Sequence, residues 1–162
     1  MARLVEALRL LATEQIEAIL VGMLSAVVRG APATTFDIDI VHRRTPENVD
    51  RLLRVLLSIE AVHRGDTRRL RPTAQRLLGP GHQLLSTRLG DIDCLGQLHG
   101  GETYEDLLGQ SDLMPLGEGL SLRILRLEKL IEIKRAAGRA KDRAALPLLE
   151  ETLAVQRSRS GV

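Results

Sequence analysis

Phe36-Asp37-Ile38-Asp39-Ile40-Val41 and Gly90-Asp91-Ile92-Asp93-Cys94-Leu95 are the two stretches on which the fold turns. Each alternates acid with apolar residue, the period of a strand with one face on a core. The isoleucines then enter the core, and both carboxylates of a pair share the opposite face. Asp is disfavoured in strands because its side chain competes for backbone hydrogen bonds and resists burial. Two such pairs call for a compensating role, and a shared divalent cation is the simplest one.

Working outward from the acidic strands, the sequence alternates helices and strands. Leu4, Val5, Leu8, Leu11 and Ala12 form a helical stripe over Leu4 to Ile16. Ala18-Ile19-Leu20-Val21, ended by Gly22, reads as a buried strand, and Met23 to Arg29 as a short helix closed by Gly30-Ala31-Pro32. Thr45 as N-cap, Pro46 in the first turn and Glu47 behind it open a helix that runs to Ile59. A weak strand over Ala61 to Arg64, a polar loop from Gly65 to Pro72 and a short helix from Thr73 to Leu78 follow. His82 to Thr87 and Asp91 to Leu98 pair as a hairpin around Arg88-Leu89-Gly90. Thr103 opens another short helix, and Leu113 to Leu116 pairs with Leu120 to Ile124. Helices from Arg126 to Ala137 and from Lys141 to Val155 close the chain, with residues 156–162 expected to be a disordered tail.

Composition bounds the reading. At 162 residues the chain is expected to be a single domain, 1–162, long enough to bury a real core. Phe36 and Tyr104 are its only aromatics, so a stacking platform for bases is excluded. Twenty-three basic against 21 acidic residues give a formal charge of +2, which argues against a surface that binds nucleic acid throughout. One cysteine, Cys94, excludes an internal disulfide and a cysteine-based metal cluster, and a packed thiol is its ordinary role. The opening residues interrupt their apolar positions with Arg3, Glu6 and Arg9, so neither a signal peptide nor a membrane span is read there. A cytoplasmic protein with no membrane partner is expected. His42, His63, His82 and His99 show no ligand spacing, and His42 beside Arg43-Arg44 is expected on the surface. Ser25 is out of register for a nucleophile elbow.

The chemistry gathers around Gly22. A glycine there removes a side chain where a backbone must approach something closely, and the helix start behind it offers free amides to an anion. With the acidic strand alongside, Asp37 and Asp39 hold Mg²⁺ against that anion, since Mg²⁺ takes one or two carboxylates plus phosphate oxygens. Asp93, on a neighbouring strand, supplies a third carboxylate. Three acids suffice for two metal ions in an in-line displacement at phosphorus. The competing reading of Asp37 and Asp39 is a solvated strand face, and that of the basic run Lys134 to Lys141 is a set of solvated charges near a helix end.

Three motifs in order carry a resemblance. Val21-Gly22-Met23-Leu24-Ser25-Ala26 followed by Gly30 to Asp39, then Gly90 to Leu95, then Leu127 to Asp142, resemble the minimal nucleotidyltransferases of the DNA polymerase beta-like superfamily. The branch resembled includes the toxin-type nucleotidyltransferases of type IV toxin-antitoxin systems, and the likeness spans roughly Ala18 to Leu149. The resemblance implies an α/β (α+β) nucleotidyltransferase fold: a mixed sheet flanked by helices, with C-terminal helices. It implies transfer of an NMP from an NTP to a hydroxyl acceptor by a two-metal mechanism, with pyrophosphate leaving. By position, Asp37, Asp39 and Asp93 match the catalytic and metal-binding carboxylates. Gly22 and Met23 match the triphosphate loop, and Lys134, Arg139 and Lys141 match basic positions near the phosphates, with Asp142 completing the late motif. Two Mg²⁺ ions are implied, with Mn²⁺ able to replace them, and an antitoxin-like protein partner. The acceptor stays open among tRNA, a protein hydroxyl and a small molecule.

Two positions depart from that pattern. Met23 stands where a small residue follows the first glycine, and Ala145 where the late motif has a second Asp. They motivate a rival reading, a nucleotide-binding or partner-binding module that keeps the fold without turnover.

Overall fold

Ile38, Ile40, Ile92 and Cys94 are all buried on one side of a seven-stranded sheet, as the alternation of their segments requires. The computed structural model describes residues 2–161. Its order is α1 (Ala2–Thr13), β1 (Ala18–Val21), α2 (Gly22–Val28), β2 (Asp37–His42), α3 (Pro46–Ser58), β3 (Val62–His63), α4 (Ala74–Leu78), β4 (His82–Thr87) and β5 (Gly90–Leu95). There follow α5 (Tyr104–Leu107), a 3-10 turn (Leu108–Gln110), β6 (Ser111–Gly117), β7 (Leu120–Leu125), α6 (Leu127–Ala137) and α7 (Ala140–Arg159).

The strands lie in the order β3-β4-β5-β2-β1-β7-β6. The β2–β5 and β1–β7 pairs are parallel and the others antiparallel, so the sheet is mixed and the fold α+β, as expected. Two apolar clusters sandwich it. One joins Leu4, Leu8 and Leu11 of α1 and Val49, Leu52 and Leu56 of α3 to Leu20, Ile40 and Ile92 of the sheet. The other joins Tyr104 and Leu107 of α5, Leu127, Leu130 and Ile131 of α6 and Leu149 of α7 to Ile19, Val21 and Val41. Odd-numbered positions of β2 and β5 face this second layer, and the carboxylates lie among them.

Local signals explain most boundaries. The Thr45 hydroxyl accepts from the Asn48 N–H at 3.4 Å, and Thr103 with Asp106 makes a reciprocal capping box. Gly138, at φ +61, closes α6 in the left-handed conformation that glycine adopts without strain.

Two expectations change. His42 is buried rather than exposed: it ends β2 on the inner face, and Nε2–H donates to the Leu77 carbonyl at 2.7 Å. Burial holds its pKa below the ordinary value, so the imidazole is neutral. Arg43 and Arg44, which suggested exposure, lie beyond the strand. The tail expected to be disordered from Gln156 is instead helical to Arg159, and the Gln156 amide donates to the Arg29 carbonyl. Val162 lies outside the described residues. No helix among the described residues is long and apolar enough to cross a membrane.

Asn48 braces the ends of β1 and β2. Its Oδ1 accepts from the Glu17 N–H at 2.8 Å, and its amide donates to the Glu17 and Arg43 carbonyls at 2.9 and 2.8 Å. Asn48 is fully buried, and its truncation leaves the Glu17 N–H and the Arg43 carbonyl without that partner, while the Glu17 carbonyl keeps the Arg43 N–H at 2.9 Å. Asn48→Ala is expected to lower unfolding free energy by about 2 to 3 kcal/mol in a urea titration. A loss below about 0.5 kcal/mol would show that the brace adds nothing to strand pairing.

Candidate active site

Parallel pairing of β2 with β5 sets the register that matters. Asp37 lies opposite Asp91 and Asp39 opposite Asp93, while Ile38 pairs with Ile92 beneath. Partners in a parallel pair project to the same face, so four carboxylates stand two by two. On the other flank Asp39 pairs with Val21 of β1, and the next residue, Gly22, opens α2.

Gly22 has φ +65, and a Cβ there would stand 2.1 Å from Asp39 Oδ2. The Asp39 carboxylate therefore lies against the Gly22 backbone, and any side chain at 22 would drive it away. Sequence reasoning anticipated a close approach at Gly22; the group found against it is Asp39 itself. Ser25, buried, donates from Oγ to the Gly22 carbonyl at 2.7 Å and fixes the first turn of α2. Met23 packs against the α6 and α7 apolar cluster, and Ala145 joins the same cluster. Met23 is thus partly taken up by core packing.

Asp39 is the most perturbed carboxylate of the group, its pKa pushed up to about 6. Burial is the largest cause, followed by repulsion from Asp93 and then Asp37; Lys134 and Lys141 pull the other way. Among the described residues, none donates a hydrogen bond that holds its charge. Asp37, at the strand's entry, is exposed.

The late basic motif forms a tier around one buried acid. Asp142 is fully buried at the start of α7 and takes Arg139 Nε at 2.6 Å and Lys134 Nζ at 3.1 Å. The hydrogen bond from Arg139, then that from Lys134, holds its carboxyl below the usual range. Lys134 is thereby oriented where its charge, with that of exposed Lys141, reaches Asp39. The sequence-expected residues Gly22, Asp37, Asp39, Asp93, Lys134 and Lys141 meet around one strand end, while Arg139 turns to Asp142.

Arg64 is the residue sequence reasoning missed. It follows β3, and its Nη2 contacts Asp93 Oδ1 at 2.6 Å while Nε contacts Asp91 Oδ2 at 2.9 Å. Asp91 also accepts from Ser86 Oγ at 2.8 Å. Burial still keeps the Asp93 carboxyl above its ordinary pKa, with Arg64 opposing and Asp37 and Asp91 adding to the rise. Nothing in the sequence set Arg64 apart among 23 basic residues, because it reaches the acids through the β3–β4–β5 pairing.

Among the described residues, no group of three or more His, Cys, Asp or Glu side chains is arranged to hold a metal ion. Two carboxylates suffice for one Mg²⁺, which keeps its remaining positions for water and phosphate. Asp37 and Asp39 fit that requirement, because the crowded charge on Asp39 has no counter-ion bonded to it. Asp93, the third carboxylate expected to hold metal, is bonded to Arg64 through Oδ1. No protein-family model matches the chain, and no curated protein matches it either.

The Asp39 shift carries a stability consequence of defined sign. Its folded pKa of about 6 exceeds the unbound value of 3.8, so the folded chain holds the proton more tightly, and stability falls as pH rises through that window. In EDTA, Asp39→Asn is expected to melt above wild type at pH near 8, by up to about 3 kcal/mol, with the difference vanishing below pH 4. Equal melting curves at both pH values would show that the carboxylates are not crowded.

Proposed function

We propose that this chain is a small divalent-cation-dependent nucleotidyltransferase that moves an NMP from an NTP to a hydroxyl acceptor and releases pyrophosphate. The observation that carries the reading is the alignment of Asp37 and Asp39 with Asp91 and Asp93, directly beside Gly22 and within electrostatic reach of Lys134 and Lys141. The order of the three motifs, which resembles that of the minimal nucleotidyltransferases, supports it.

In this reading Asp37 and Asp39 would hold the cation. When bound, it neutralises phosphate oxygens and relieves the repulsion that raises the Asp39 pKa. Lys134, held in place by Asp142, and Lys141 add positive charge on the helical side of the phosphates. The acceptor oxygen forms a bond to the α-phosphorus as the bond to the bridging oxygen of pyrophosphate breaks, and Asp93 accepts the proton of the acceptor hydroxyl. Arg64 orients that carboxylate through Oδ1 and leaves Oδ2 for the proton. tRNA, a protein hydroxyl and a small molecule all fit as acceptors, and an antitoxin-like partner belongs to the same proposal.

A second reading has its own observation. Arg64 sits on the carboxylate that would serve the acceptor, as expected for a module that binds nucleotide or a protein partner without turning over.

Isothermal titration with each of the four NTPs, with and without Mg²⁺, tests both. Metal-dependent binding to wild type is expected, with affinity reduced at least about tenfold in the Asp37→Ala, Asp39→Ala double variant, since an uncompensated loss of about 1.4 kcal/mol is tenfold. Pyrophosphate release with a supplied hydroxyl acceptor separates the enzyme from the silent module. Binding that ignores both Mg²⁺ and the double substitution would overturn both forms of the proposal.

A further inference from the structure

The two acidic strands are treated differently by the rest of the chain. On β2, no described residue donates a hydrogen bond to the Asp39 carboxylate. On β5, one guanidinium spans both carboxylates, Nε on Asp91 at 2.9 Å and Nη2 on Asp93 at 2.6 Å. Arg64 is fixed from behind as well. Its backbone N–H donates to the Leu84 carbonyl at 2.9 Å, and Nη2 also donates to the Leu85 carbonyl at 3.3 Å. A planar fork held at several points, on a group that stays charged at all working pH values, is a permanent counter-ion.

We propose that Arg64 occupies the place of a second divalent cation, so that the site takes a single ion, between Asp37 and Asp39. The inference rests on the reading of those two residues as cation ligands. A second ion on Asp93 would stand beside a guanidinium already bonded to Oδ1 of that carboxylate, and their like charges oppose one another there. Arg64 supplies charge to that side of the site without the ability to lower the pKa of a bound hydroxyl, which is the part a second metal plays in phosphoryl transfer. Proton removal from the acceptor therefore falls to Asp93 itself. The arginine is a positioning residue, acting through the carboxylates it holds.

Counting bound Mn²⁺ by electron paramagnetic resonance, with the full chain and Mn²⁺ alone, tests this. Wild type is expected to bind one ion per chain, and the Asp37→Asn, Asp39→Asn double variant none. Arg64→Gln is expected to bind two, with the second lost again when Asp93→Asn is added. Arg64→Lys, which keeps the charge, is expected to return the count to one, and circular dichroism melting checks that each variant folds. Two ions in wild type, or one in folded Arg64→Gln, would overturn the role of Arg64 and leave the proposed function standing. No ion in wild type would overturn the cation reading of Asp37 and Asp39 and this inference with it.

Discussion

The parallel register between β2 and β5 is the constraint from which the rest follows. Ile38 against Ile92 and Ile40 against Cys94 are buried on one face, and a shift of either strand by one residue would put its two acids into that core. Hydrophobic burial therefore fixes the alignment of Asp37 with Asp91 and of Asp39 with Asp93, although those pairs repel. Burying even one such isoleucine is worth roughly 2 to 3 kcal/mol, comparable to the repulsion it has to overcome at each charged pair. The charge cluster is a consequence of core packing, held in place by it.

The surrounding residues answer that repulsion in three ways. Arg64 neutralises the β5 side by direct contact. Lys134 and Lys141 act on Asp39 without touching it, Lys134 from a position fixed by buried Asp142. Gly22 gives Asp39 room, since any Cβ would collide with its carboxylate. The α6–α7 junction belongs to the site for this reason: Gly138 turns the chain so that Arg139 and Asp142 meet Lys134 across it.

Much of this was legible in the sequence because it is local. The alternation of Phe36 to Val41, the Thr45-Pro46 helix start, the Thr103 cap and Gly138 each act over a few residues, and the helices and strands they delimit lie where expected. Burial of His42 was not legible, because it depends on α4 bringing the Leu77 carbonyl to the end of β2. The helical course of Gln156 to Arg159 is accompanied by a hydrogen bond to Arg29, 127 positions away. Arg64 is the same kind of case: its position in the site is set by two antiparallel pairings, and neither register is written in a motif.

What distinguishes this site is where its counter-charge comes from. Four carboxylates on one face require cations, and the chain builds one into the β5 side while bonding none to Asp39. A protein that only needed a stable sheet would gain by pairing both sides or by replacing the acids, since a carboxylate held at a pKa of about 6 despite Lys134 and Lys141 lowers stability at neutral pH. The asymmetry makes sense if the β2 side receives its positive charge from outside. The raised pKa of Asp39 beside Gly22 is an electrostatic cost that core packing offsets, and under the proposed reading a bound cation would relieve it.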